Sequence, residues 1–141
     1  MRLYLDTSAI VPLLMGEPST TACRRLWDEA DLVAVSAVGH VEATAALARA
    51  ARSGRVDEEE FAAARAELER RWSTVAVVPA DRARLARASD LAGRHRLRGF
   101  DAVHCAAALA VADDDLLAAS GDQELLAAWR AEGLAVVDTS R

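Results

Sequence analysis

Apolar residues fall along this chain in short runs separated by stretches of helical period. The first run, over residues 3–6, ends on Asp6 and predicts a strand. Short helical material over 8–15 follows, interrupted by Pro12; Gly16 and Pro18 then punctuate before a helix that runs through Trp27. A second strand is expected over 32–35, with Ser36 placed to cap a helix over 38–52 that Gly54 closes. Asp57 and Glu60 have the spacing of a capping box, although the box strictly wants Ser or Thr first, and start a helix reaching Arg71. A third strand over 75–78 precedes Asp81, the expected cap of a helix to about residue 94. Past Gly99, Asp101 opens the Ala-rich apolar helix DAVHCAAALAVA. A fourth strand over 116–119, a helix capped by Asp122 and a fifth strand over 134–137 complete the series. Strand and helix alternate throughout, which predicts an α/β fold with a mainly parallel central sheet flanked by helices.

The 141 residues contain no repeat, low-complexity tract or linker, so one domain over 1–141 is expected, burying about 70% of its unfolded surface. Aromatic residues are only 4% of the chain, so the core must rest on Ala, Leu and Val. No apolar run approaches the roughly 20 residues of a membrane span. The N-terminus also lacks the basic start and apolar stretch of a secretion signal, and a cytoplasmic location is the expectation. Cys23 and Cys105 are isolated thiols, expected to be buried and reduced rather than zinc ligands. A net charge of −5 argues against gripping nucleic acid by bulk electrostatics. All 17 positive residues are arginine and none is lysine.

In a parallel sheet the C-terminal ends of all strands share one edge, where open α/β folds bind their ligands. Asp6 ends the first strand, Glu42 lies about one turn into the helix after the second, Asp101 opens a helix and Asp122 follows the fourth strand. The alternation brings these four carboxylates to one edge. Asp101 and Asp122 also read as N-caps, and Asp6 as an Asx-turn residue. Glu42 resists such a reading. Its helical neighbours Val38, Gly39, Ala45 and Ala46 put it on a small, apolar, inward face, where an unpartnered carboxylate is costly. Asp57, Glu58, Glu59 and Glu60 read instead as a solvated helix start. Crowded carboxylates repel unless a cation neutralises them. Oxygen ligands without a His/Cys cluster suit Mg²⁺ or Mn²⁺, whose chemistry includes phosphodiester hydrolysis.

With those residues in place, the chain resembles the PIN-domain ribonucleases, in particular the VapC toxins of bacterial toxin–antitoxin pairs. The resemblance spans essentially the whole length and rests on LYLDTSAIV, SAVGHVEATAALARA, LRGFDAVHCAAALA and AASGDQELL, in that order. It implies a PIN-like fold and a Mg²⁺- or Mn²⁺-dependent endoribonuclease. Asp6, Glu42 and Asp101 become the core acids and metal ligands, with Asp122 as the fourth and most variable. Ser8 falls where the family sets a small polar side chain beside the metal or phosphate, and Ser120 where many members have Thr or Ser before the fourth acid. His104, three after Asp101 on the same helix face, is expected to be a packing residue rather than a ligand or base. Arg98 reads either as a phosphate contact or as a solvated loop arginine. Arg24, Arg25, Arg65, Arg70 and Arg71 read as exposed helix faces.

The resemblance also implies partners: an RNA substrate, a VapB-like antitoxin, and a homodimer or toxin–antitoxin hetero-oligomer. The helix from Asp57 and the last strand are candidate self-association surfaces. An acidic pocket lacking its cation would accept an arginine or lysine from an antitoxin, with an apolar segment laid beside it against Ile10, Val11, Leu13 and Leu14; ordinary core is the alternative reading of those four. A receiver domain or an aspartyl phosphatase would also place acids at strand ends. Both, as those families run them, set a lysine against the phosphoryl oxygens, and this chain has none. The phosphatase also wants a second Asp where Ser8 stands. A PIN-like binding module without activity is the non-enzymatic alternative.

Overall fold

A computed structural model describes residues 1–141. The strands β1 (Arg2–Leu5), β2 (Leu32–Ser36), β3 (Ala76–Val78), β4 (Leu116–Ser120) and β5 (Ala135–Asp138) pair in the order β3-β2-β1-β4-β5, every pair parallel. The helices are α1 (Thr7–Ile10), running on into a 3₁₀ turn at Val11–Leu13, then α2 (Thr20–Glu29), α3 (Val38–Arg52), α4 (Glu58–Trp72), α5 (Arg82–His95), α6 (Gly99–Ala110) and α7 (Gln123–Ala131). None is long and apolar enough to cross a membrane.

Successive side chains of a strand point to opposite faces, and here both faces are covered. Leu3, Leu5, Val33 and Val35 pack with Ala9, Leu13, Cys23, Ala43 and Leu68 from α1 to α4. Tyr4, Ala34 and Ala118 face the other way, into a core built by α5, α6 and α7 around Leu91, Leu126 and Trp129. A sheet buried on both sides explains why its strands read as unbroken apolar runs.

The α/β expectation holds, with the capping box at Asp57 and Glu60 and the cap at Asp81 both formed. Several boundaries shift. β1 stops at Leu5, β4 runs on to Ser120 and β5 to Asp138. α5 ends on Arg96, a non-glycine residue in the left-handed region at φ 56°, a stop that no glycine or proline announced. α6 starts at Gly99, so Asp101 is its third residue and caps nothing. Ile10, Val11 and Leu13 are core, while Leu14 is half-buried. Arg71 lies over the Trp27 ring at 4.7 Å instead of standing in solvent. Both cysteines are free and buried, and burial pushes the Cys105 thiol up to about 12.

Candidate active site

Strand order reverses between β1, the first strand, and β4, its neighbour on the side away from β2. At such a switch point the flanking connections leave in opposite directions and open a crevice at the strand ends. Asp6 leaves β1 there, and Ser120 and Asp122 leave β4.

Asp6 occupies the N-cap position of α1, yet its side chain makes no cap bond. The carboxyl is free for other work although it is only 4% exposed. Ser8 donates to its Oδ1 at 2.7 Å. The Ser8 hydroxyl also accepts from the Gly121 amide at 2.8 Å and lies 3.3 Å from the Ser120 hydroxyl. Ser120 Oγ in turn accepts from the Asp122 amide at 2.9 Å. The two serines thus lace the end of β4 to Asp6. Burial pushes the Asp6 carboxyl up to about 6, against the opposing pulls of His104, Ser8 and Ser120.

Glu42 is not on the inward face of α3. That face runs Gly39, Ala43, Leu47 and Ala50, while Ala45 is exposed. Glu42 sits on the flank with its side chain 23% exposed, and the face reading failed because one helical neighbour in four points to solvent. It still finds partners. Thr7 donates to Oε1 at 2.8 Å, and His104 Nε2 lies 2.6 Å from the same oxygen. Burial raises the Glu42 carboxyl, but the His104 and Thr7 bonds outweigh it and hold the group below the usual carboxylate range.

Asp101, in the first turn of α6, is raised by burial and then by the nearby Asp122 charge, with Arg98 and His104 pulling back. Glu42 adds a smaller push, so Asp101 senses two of the other acids. Arg98, 85% exposed, brings Nε to 3.7 Å from Asp101 Oδ2. Asp122 is the N-cap of α7 and accepts from the Glu124 and Leu125 amides at 2.9 and 3.1 Å. For this acid the cap reading holds.

His104 is 1% exposed, as a packing residue should be, but both of its ring nitrogens are bonded. Tyr4 and Thr7 are its further partners, and neither stood out in the sequence. The signal was there for His104: a polar residue three positions after Asp101 on an otherwise apolar helix.

No three Asp, Glu, His or Cys side chains come together as a closed metal cage. The donors are nonetheless all carboxylate and hydroxyl oxygens around a buried acid that has no arginine against it. That set fits a hard divalent cation that keeps much of its water shell, as Mg²⁺ does.

Comparison with known proteins shows the family. Ribonuclease VapC45 of Mycobacterium tuberculosis is 39% identical over 134 residues, covering 95% of this chain and 93% of that protein. The crystal structure of Mycobacterium tuberculosis VapC20, a sarcin–ricin loop cleaving toxin, superposes with a TM-score of 0.72 at 22% identity, covering 96% of this chain and 98% of that one. A toxin–antitoxin complex from Klebsiella pneumoniae gives a TM-score of 0.66 at 17% identity, with 97% of each chain covered. The PIN domain model matches residues 3–128, and the chain belongs to the PIN-domain family, in its VapC-type branch.

Proposed function

We propose that this chain is a metal-dependent endoribonuclease that hydrolyses RNA phosphodiester bonds with Mg²⁺ or Mn²⁺ and serves as the toxin of a toxin–antitoxin pair. The observation that carries the proposal is Asp6: a carboxyl buried at the switch point and held by Ser8 and Ser120 with no arginine against it, while Asp101 senses the Asp122 and Glu42 charges. Asp6, Asp101 and Glu42 would hold the cation, with Asp122 at the periphery because its Oδ1 already caps α7. A cation bound there supplies an activated water and stabilises charge building on the phosphoryl oxygens.

The chain's own groups prepare the site. Ser8 and Ser120 fix Asp6 and the turn after β4. Thr7 and His104 fix Glu42. Arg98, 85% exposed beside Asp101, is a cation that an RNA phosphate could meet at the site. The ribonuclease name of the VapC45 relative supports the substrate class. A phosphotransfer role is not favoured, since the fold family is PIN and the chain has no lysine.

A free ribonuclease of this type needs restraint, and the Klebsiella complex supports an antitoxin as its source. A groove of about 630 Å³ lies beside the 3₁₀ turn, walled by Leu13, Leu14, Met15, Val56 and Ala63, with Arg24, Arg55, Glu60 and Glu67 at its rim. It suits an apolar helix or extended segment with charged flanks. α4, one of the surfaces considered for self-association, contributes to this groove.

Cleavage of an RNA panel with Mn²⁺, with excess EDTA, and by Glu42→Gln and Asp101→Asn proteins tests the catalytic reading. Cleavage is expected only from the wild type with metal. Undiminished cutting in excess chelator, or by the folded Glu42→Gln protein, overturns it.

A further inference from the structure

Two buried groups, Tyr4 and His104, form a line from the sheet to the half-buried Glu42: the Tyr4 hydroxyl is 2.8 Å from His104 Nδ1, and His104 Nε2 is 2.6 Å from Glu42 Oε1. We infer that His104 is a positioning residue that aims the Glu42 carboxylate, and that Tyr4 sets the imidazole tautomer that lets it do so. The inference rests on the reading of Glu42 as a cation ligand given above.

An ionised carboxylate only accepts hydrogen bonds, so the Nε2 facing Glu42 must carry a hydrogen. Tyr4 is wholly buried, and its hydroxyl lies 2.8 Å from His104 Nδ1. In the neutral ring Tyr4 therefore donates to Nδ1, and the ring hydrogen sits on Nε2. Tyr4 and His104 also meet edge to face, with centroids 6.2 Å apart and planes at 69°, which restrains the ring further.

The consequence falls on Glu42. A glutamate on a helix flank, 23% exposed, would otherwise lose side-chain entropy each time it was called on to coordinate. Here the Thr7 hydroxyl and His104 both bind Oε1, leaving Oε2 without a protein partner. The orientation is set before any cation arrives, by the same device that fixes metal-bound groups through an outer layer of hydrogen bonds. His104 stands one turn after Asp101 on α6, and Thr7 directly follows Asp6. The elements that carry two of the acids therefore also hold the third.

The test uses full-length Tyr4→Phe, His104→Gln and His104→Leu proteins beside wild type and Glu42→Gln. Nitrogen NMR of the metal-free protein should show the Nε2–H tautomer at His104, and Tyr4→Phe should weaken that preference without abolishing it, because Glu42 still accepts from Nε2. Mn²⁺ affinity, measured without RNA, should fall about 10- to 100-fold in His104→Leu. His104→Gln, which keeps an N–H donor, should recover part of the loss, and Tyr4→Phe should lie between wild type and His104→Leu. RNA cleavage should lose kcat while KM for RNA stays. If His104→Leu does not fold, Tyr4→Phe and His104→Gln decide the matter. A wild-type Nδ1–H tautomer overturns the inference. So does wild-type Mn²⁺ affinity in the His104 and Tyr4 variants while Glu42→Gln is impaired, and the metal reading then survives. A wild-type protein that binds no Mn²⁺ removes both.

Discussion

Ser8 donates to Asp6 across 2.7 Å, and no arginine shares that role. A buried acid held by neutral donors is cheaper to fold with its proton than without it.

Asp6→Asn should therefore stabilise the metal-free protein at neutral pH. The folded carboxyl titrates at about 6 and the ordinary one at 3.8. Its contribution is fully present below the lower value and is lost as pH rises through the upper one. The loss is on the order of 3 kcal/mol at most, or several degrees in Tm. Melting curves from pH 4 to 8 in EDTA should show the variant gaining on wild type as pH rises, and added Mn²⁺ should reverse the order. A variant that melts well below wild type at pH 7.5 in EDTA contradicts the account.

Asp101→Asn and Glu42→Gln should each reduce cleavage by more than the roughly 10- to 100-fold typical of groups one layer out from a metal. Combining the two should cost little more than either alone, because the acids act on one cation. Single-turnover rates measure this, and fully additive losses would separate the two roles.

Asp122 offers a cleaner division, because its cap and its charge can be removed separately. Asp122→Asn keeps a capping oxygen and should retain stability with a mild loss of activity. Asp122→Ala should lose about 1 kcal/mol of stability as well. Urea denaturation of both variants measures the difference. Equal stabilities would mean that the bonds to Glu124 and Leu125 contribute nothing net.

Leu14→Asp should weaken a complex with the antitoxin while leaving the free fold and cleavage intact, since Leu14 is half-buried on the groove wall. Leu13 is 3% exposed, so Leu13→Asp should fail by unfolding and tells nothing about the partner. Co-expression with a candidate VapB-like antitoxin and purification on one tag reads the result. Unchanged co-purification of the Leu14 variant would move the interface elsewhere.

The alternation of strands and helices was legible because each apolar run ends on a residue with a local job, such as Asp57 or Asp81, whose caps need only neighbours three positions away. Strand order was not, since nothing local tells β1 to sit between β2 and β4. The four acids were singled out because topology alone sends strand ends to one edge. Glu42 was singled out for a partly mistaken reason, and its partner His104 was taken for packing. The bonds that define His104 reach Tyr4 and Glu42, 100 and 62 positions away, and no periodicity carries information over that distance. The segment from Ile10 to Leu13 read as too apolar for a short helix, yet the sheet face covers it, which a count along the chain could not anticipate.

The pairing of β1 with β4 joins Arg2 to Leu116 and Leu5 to Ala119, so the two halves of the crevice leave the ribosome at opposite ends of synthesis. A chain that stops before β4 has no Ser120 to meet Ser8, no Gly121 amide to steady it, and β1 left as an open edge. Such long-range parallel pairing comes late, because it must close most of the chain into a loop first. For a protein that attacks RNA this is a safeguard in the order of assembly. Until β4 has been made, the serine pair that holds Asp6 cannot form.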